Sequence, residues 1–301
     1  MEHARDVPSI MNPIGVSTWL WTSPLSDSDL DRLVPSISGW GFDIIELPIE
    51  QPGDWNPART ADLVARAGLG TTTCAVMTSD RDLTTTDRAV TAATQDYLRQ
   101  CIDIAAAVGS PAVGGPIYAP VGRLWQLDPD ERRQTIDRLV EALRVVADHA
   151  EHAGVRLALE PLNRYETSLI NTVEQAMDVV SGVGSPALGV LLDTFHLNIE
   201  EKDPAAAVRI AAGHIAHVQA CGTDRGTPGA DQFAWDLFAD ALADASYAGP
   251  VCIESFTAHN AAIARAASIW RPLAATQDAL AVDGLAFLRP LFQGERGGKS
   301  R

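Results

Sequence analysis

Eight times along its 301 residues the chain sets a short run of Val, Ile and Leu ahead of a longer stretch with apolar residues at every third or fourth position. The first pattern predicts strands and the second amphipathic helices. Strands are expected at 14–19, 42–47, 71–76, 112–114, 156–160, 189–193, 214–219 and 250–254. The clearest helices are expected at 87–108, 129–153 and 171–183, with a last helical region at about 260–292 interrupted by Pro272. The strand runs are continuously apolar rather than alternating, as parallel strands covered on both faces require. Ser26-Asp27 and Asn171-Thr172 look like helix starts. Eight β-then-α units predict an α/β fold, a single closed (β/α)8 (TIM) barrel, with one catalytic domain over 1–293 and a flexible tail at 294–301. No G-x-G-x-x-G follows the first run, which counts against an open dinucleotide-binding sheet.

Charge and cysteine usage narrow the function. Lys and Arg total 23 against 39 Asp and Glu, a net charge of −16. A surface that acidic repels phosphate backbones, so neither nucleic acid nor a membrane is expected as a partner. No run approaches the length of a transmembrane helix, and the first residues do not read as a secretory signal. Cys74, Cys101, Cys221 and Cys252 form no C-x-x-C. They are expected to be reduced and buried in a cytoplasmic protein.

A parallel barrel places its chemistry at the carboxyl ends of its strands. The fifth run ends in Glu160, the sixth in Asp193 with His196 three residues on, the seventh in Gln219 after His217, and the eighth in Glu254. Three carboxylates brought to one mouth repel and are expensive to desolvate, and a divalent cation removes that difficulty. Oxygen ligands with at most one nitrogen suit Mn2+, Mg2+ or Co2+ better than structural zinc. His196, in the loop after a metal-bearing strand, reads as a substrate contact. Arg225, in a Gly/Pro-rich loop after strand seven, is placed equally well over a polar substrate or in solvent. Trp40, Trp55, Trp235 and Trp270 are expected to pack helices, and Glu200-Glu201 to be solvated.

Four motifs carry a resemblance. They are Leu159-Glu160-Pro-Leu-Asn163-Arg164-Tyr-Glu166, Leu192-Asp193-Thr-Phe-His196-Leu-Asn198-Ile-Glu200-Glu201, Asp224-Arg225-Gly-Thr-Pro-Gly229 and Ile253-Glu254-Ser-Phe256. Together they resemble the D-tagatose 3-epimerase / D-psicose (allulose) 3-epimerase family of the xylose-isomerase-like barrels. The likeness is strongest over 157–256 and weaker in the first 120 residues. It implies Glu160, Asp193 and Glu254 as metal ligands, with Mn2+ preferred, and Glu166, His196 and Arg225 as contacts to ketose oxygens. It also implies a homodimer or homotetramer. The family usually presents His-x-His on strand seven with the second His on the metal. Here His217 matches the first and Gln219 the second, so Gln219 takes the ligand position, where an amide carbonyl suits Mn2+ or Mg2+.

Epimerisation beside a carbonyl needs a base, a Lewis acid for the enediolate, and an acid on the opposite face. Glu160 and Glu254 lie three strands apart round a barrel and can flank a sugar as the acid/base pair, each proton transfer contributing roughly 10²–10⁴-fold. The expected activity is therefore a metal-dependent ketose 3-epimerase on a small-molecule sugar. An aldose–ketose or hydroxypyruvate-type isomerase would use the same enediolate and return the proton to another carbon. A metal-dependent AP endonuclease would need more His ligands and a basic face. A non-catalytic sugar-binding barrel would not need both glutamates.

Overall fold

The computed structural model describes residues 11–293. The tail expected at 294–301 lies outside them. Eight parallel strands close into a barrel in sequence order: β1 (Ile14–Ser17), β2 (Ile44–Ile49), β3 (Gly70–Ala75), β4 (Ala112–Gly115), β5 (Arg156–Leu159), β6 (Leu188–Asp193), β7 (Ile215–Ala220) and β8 (Val251–Ile253). The ring shuts where β1 pairs β8, Gly15 opposite Cys252. Helices follow the strands: α1 (Asp27–Trp40), α2 (Pro57–Ala67), α3 (Arg88–Val108), α4 (Pro129–Ala153), α5 (Val173–Val183), α6 (Thr194–Glu200), α7 (Pro204–Ile210), α8 (Trp235–Asp244), α9 (Ala261–Ala266) and α10 (Gln277–Gln293).

Local chemistry sets these boundaries. Ser26 and Thr172 accept the free amides that open α1 and α5, as their sequence positions predict. Asp128 and Glu131 close a reciprocal capping box on α4. The helices lay their apolar stripes on the outside of the strands, so the strands are buried on both faces and form one continuous core.

Three expectations shift. Strand one stops at Ser17, because the Ser17 hydroxyl accepts from the Trp19 amide and caps a 3-10 turn over Thr18–Leu20. Strand two runs Ile44–Ile49, since Pro48 stays within the pairing to β3. The last helical region is interrupted as expected, into α9 and α10 on either side of Pro272, but Trp270 between them is 75% exposed rather than packed. Trp55 and Trp235 are buried as expected.

Two features place the site. The β6–β7 register slips by one residue after Val190, which brings Gln219 opposite Asp193. The two ends of the described chain meet: the Asn12 amide donates to the Phe292 carbonyl at 3.2 Å, and Gln293 Nε2 donates to the Asn12 carbonyl at 3.0 Å.

Candidate active site

A cavity of about 530 Å³ opens at the carboxyl ends of the strands. Glu160, Glu166, His196, Arg225 and Glu254 all line it. Asp193 and Gln219 lie just beneath, at 1% and 0% exposure. The seven residues singled out in the sequence thus converge on one place.

Arg225 organises the group. Its Nη1 donates to Asp193 Oδ2 at 2.6 Å and to Glu254 Oε2 at 2.9 Å. Its guanidinium also lies over the rings of Phe195 (4.3 Å) and Phe256 (5.3 Å). The loop delivers it through a left-handed backbone conformation at φ 68°, which is costly for a residue with a Cβ. The Ser255 hydroxyl donates to the Arg225 carbonyl at 2.5 Å and pins that turn. The sequence left Arg225 open between substrate and solvent, and the structure buries it among carboxylates.

His196 is held just as firmly. Its Nδ1 accepts from the Asn163 backbone amide at 2.9 Å. Nε2 lies 3.3 Å from Glu160 Oε1 and 2.9 Å from Arg225 Nη2. Asn163 Nδ2 donates to Glu166 Oε1 at 2.8 Å, tying this second carboxylate to the same frame. Asn163 carries no chemistry that a sequence search for acids and bases would select.

Burial dominates the electrostatics. It pushes the Glu254 carboxyl well above its ordinary range, against the opposing charge of Arg225, while Asp193, Glu160 and Glu46 push the same way as burial. It raises Glu160 as well, against the hydrogen bond and charge of His196. At Asp193 burial is outweighed by Arg225, His196 and the Phe195 amide, and the carboxyl is lowered. Burial and the neighbouring charges thus push the three carboxyls in different directions, Asp193 down and Glu160 and Glu254 up.

Gln219 spends both amide hydrogens on carboxylates, Glu254 Oε1 at 2.7 Å and Glu46 Oε1 at 3.0 Å. Its carbonyl Oε1 is buried without a partner. Gln219 pairs with Asp193 across the strands and bonds Glu254, so its unspent carbonyl adds an oxygen of the kind a hard divalent cation takes. Glu160, Asp193 and His196 also bring ligand atoms within 4.8 Å of one another.

Glu46 was not foreseen as part of the site. It stands in an apolar strand, where an acid between Ile45 and Leu47 was the available signal. Glu200 is not solvated as expected. Its carboxylate is buried, accepting from the Arg164 amide at 2.7 Å and from Arg164 Nη2 at 3.1 Å. Trp19 lines the cavity, whereas Trp21 donates to Asp278 outside it.

Comparison with known proteins identifies the family. Residues 36–291 match the family described as xylose isomerase-like TIM barrel. A probable ketose 3-epimerase of Synechocystis is 36% identical over 93% of this chain and 96% of its own length. An L-ribulose 3-epimerase of Mesorhizobium japonicum is 34% identical over 92% and 93%. A solved structure of L-ribulose 3-epimerase superposes with a TM-score of 0.88 at 33% identity, covering 94% of this chain and 95% of that one. The chain belongs to the xylose isomerase-like TIM barrel family, among its ketose 3-epimerases.

Proposed function

We propose that this protein is a divalent-metal-dependent enzyme that interconverts ketoses at C3 through an enediolate, with Glu160 and Glu254 as the acid/base pair. The observation that carries the reading is the placement of these two glutamates, from β5 and β8, on one cavity wall system with Asp193 and Gln219 beneath them. Solved relatives were crystallised with D-allulose and with D-fructose, free ketoses of the size this cavity admits.

Glu160, Asp193, Glu254 and the Gln219 carbonyl would hold the cation, Mn2+ by preference. When bound, such an ion polarises a carbonyl and its neighbouring hydroxyl. The protein's own groups do the rest. One glutamate takes the C3 proton, and the other returns a proton on the opposite face. As ligands both carboxylates would stay ionised, weak bases that suffice for a C–H next to a polarised carbonyl. His196 and Arg225, both on the cavity lining, hold the sugar oxygens and stabilise charge as it develops. Glu166, fixed by Asn163, orients a hydroxyl at the rim. The same reading places the enzyme in the cytoplasm as a single domain over 1–293, assembled as a homodimer or homotetramer that sedimentation velocity would count.

Proton NMR in D2O with Mg2+, across free ketoses and hydroxypyruvate, tests the reaction. Deuterium at C3 together with the C3 epimer is the expected result. Exchange at C1 with an aldose appearing would replace the epimerase by the isomerase alternative. No exchange with any free sugar would overturn the reading for this substrate class.

A further inference from the structure

Below the cavity lies a second polar layer that the scheme above leaves unused. Glu46 points inward from the middle of β2 and is fully buried. A carboxylate there is costly unless every oxygen is satisfied, and Leu would fill the space without that cost. Its oxygens are in fact taken up. His217 Nε2 donates to Oε2 at 2.5 Å, and Gln219 Nε2 donates to Oε1 at 3.0 Å. His217 lies two residues before Gln219 on β7 and points the same way.

This arrangement decides which way the Gln219 amide faces. Its nitrogen lies between two carboxylates, Glu46 on β2 and Glu254 at the end of β8. Turned over, the amide would set its carbonyl oxygen against both of them, and acceptor would meet acceptor. The nitrogen end is therefore locked downward, and Oε1, which has no partner, is the end left over. Glu254 alone would supply one anchor, and Glu46 supplies the second. A His at position 219 would not need such a lock, because either ring nitrogen can serve as a ligand; an amide has one useful end.

We infer that Glu46, itself held by His217, is a positioning residue that orients Gln219 so that its carbonyl oxygen is reserved for the divalent cation. The inference rests on the reading of Gln219 as a ligand. Outer-layer partners of this kind typically contribute about 10–100-fold in metal affinity.

The test is Mn2+ titration of the purified protein, with free Mn2+ followed by electron paramagnetic resonance, which needs no turnover. Gln219→Ala should weaken binding. Glu46→Leu should weaken it by about 10–100-fold. The double variant should bind no more weakly than Gln219→Ala alone, because Glu46 acts only through Gln219. Glu46→Asp keeps a charge for His217 but withdraws the carboxylate from Gln219. It should also weaken binding, and it decides the matter if Glu46→Leu does not fold. Wild-type affinity in folded Glu46 variants, or losses that multiply in the double variant, would overturn the inference while leaving Gln219 as a ligand. Wild-type affinity in Gln219→Ala, or no Mn2+ binding by the wild type, would remove the ligand reading and this inference with it.

Discussion

Glu254 shows how far the site depends on single atoms. One oxygen accepts from Gln219 and the other from Arg225, so the group is fully engaged before a substrate arrives. Glu254→Gln should lower turnover by about 10²–10⁴-fold, read as deuterium incorporation at C3, with the circular dichroism spectrum unchanged. The same variant should alter the pH dependence of stability in metal-free protein. Burial holds the folded carboxyl well above its ordinary value of about 4.3. Such a group favours the folded chain below that ordinary value, and the contribution is lost as pH rises through the raised one. Denaturant midpoints of wild type should therefore fall relative to those of Glu254→Gln between these two limits; parallel curves would mean that Glu254 is not shifted. The acids at strand ends were legible in the sequence because a barrel tells where its strands point. The role of Glu46 was not, since nothing linear relates β2 to β7, and neither was the orientation of an amide, which depends on what surrounds it.

At the scale of elements, strand packing is limited by glycines with no room for a side chain. A Cβ at Gly189 on β6 would fall on the His214 carbonyl, and backbone cannot step aside as a side chain can. Gly189→Ala should cost about 1–3 kcal/mol, visible as a lower melting temperature, and it should disturb the neighbouring β6–β7 register that sets Gln219 beside Asp193. A variant as stable as wild type would show that the strand pair is looser than it looks. Helix positions were read closely from the sequence, as α4 at Pro129–Ala153 illustrates, because capping residues and apolar period agree there. Strand ends were read less well. The turn at Thr18–Leu20 is made by one hydroxyl, and the break between α9 and α10 leaves Trp270 in solvent although its neighbours look helical.

For the whole molecule, the eightfold alternation was enough to predict closure, and the closed barrel is what the chain forms. Its compactness has a chemical readout. All four cysteines are free and buried, and burial pushes the Cys101 thiol up to about 12. Ellman's reagent at neutral pH should find them slow to react in native protein and should count four after denaturation; rapid reaction of any one would reveal an opening of the barrel. Bound Mn2+ should stabilise the whole fold by about 2.7 kcal/mol at a hundred times its dissociation constant, seen as a rise in melting temperature that a chelator reverses. The meeting of Asn12 with Phe292 and Gln293 has a consequence of its own. Where the polypeptide begins is immaterial to the architecture: the order of units is cyclic, and any seam away from the catalytic mouth should serve equally. A circular permutant that splices residue 293 to residue 11 through a short linker and is cut at the Gly154 turn before β5 should refold and turn over its sugar.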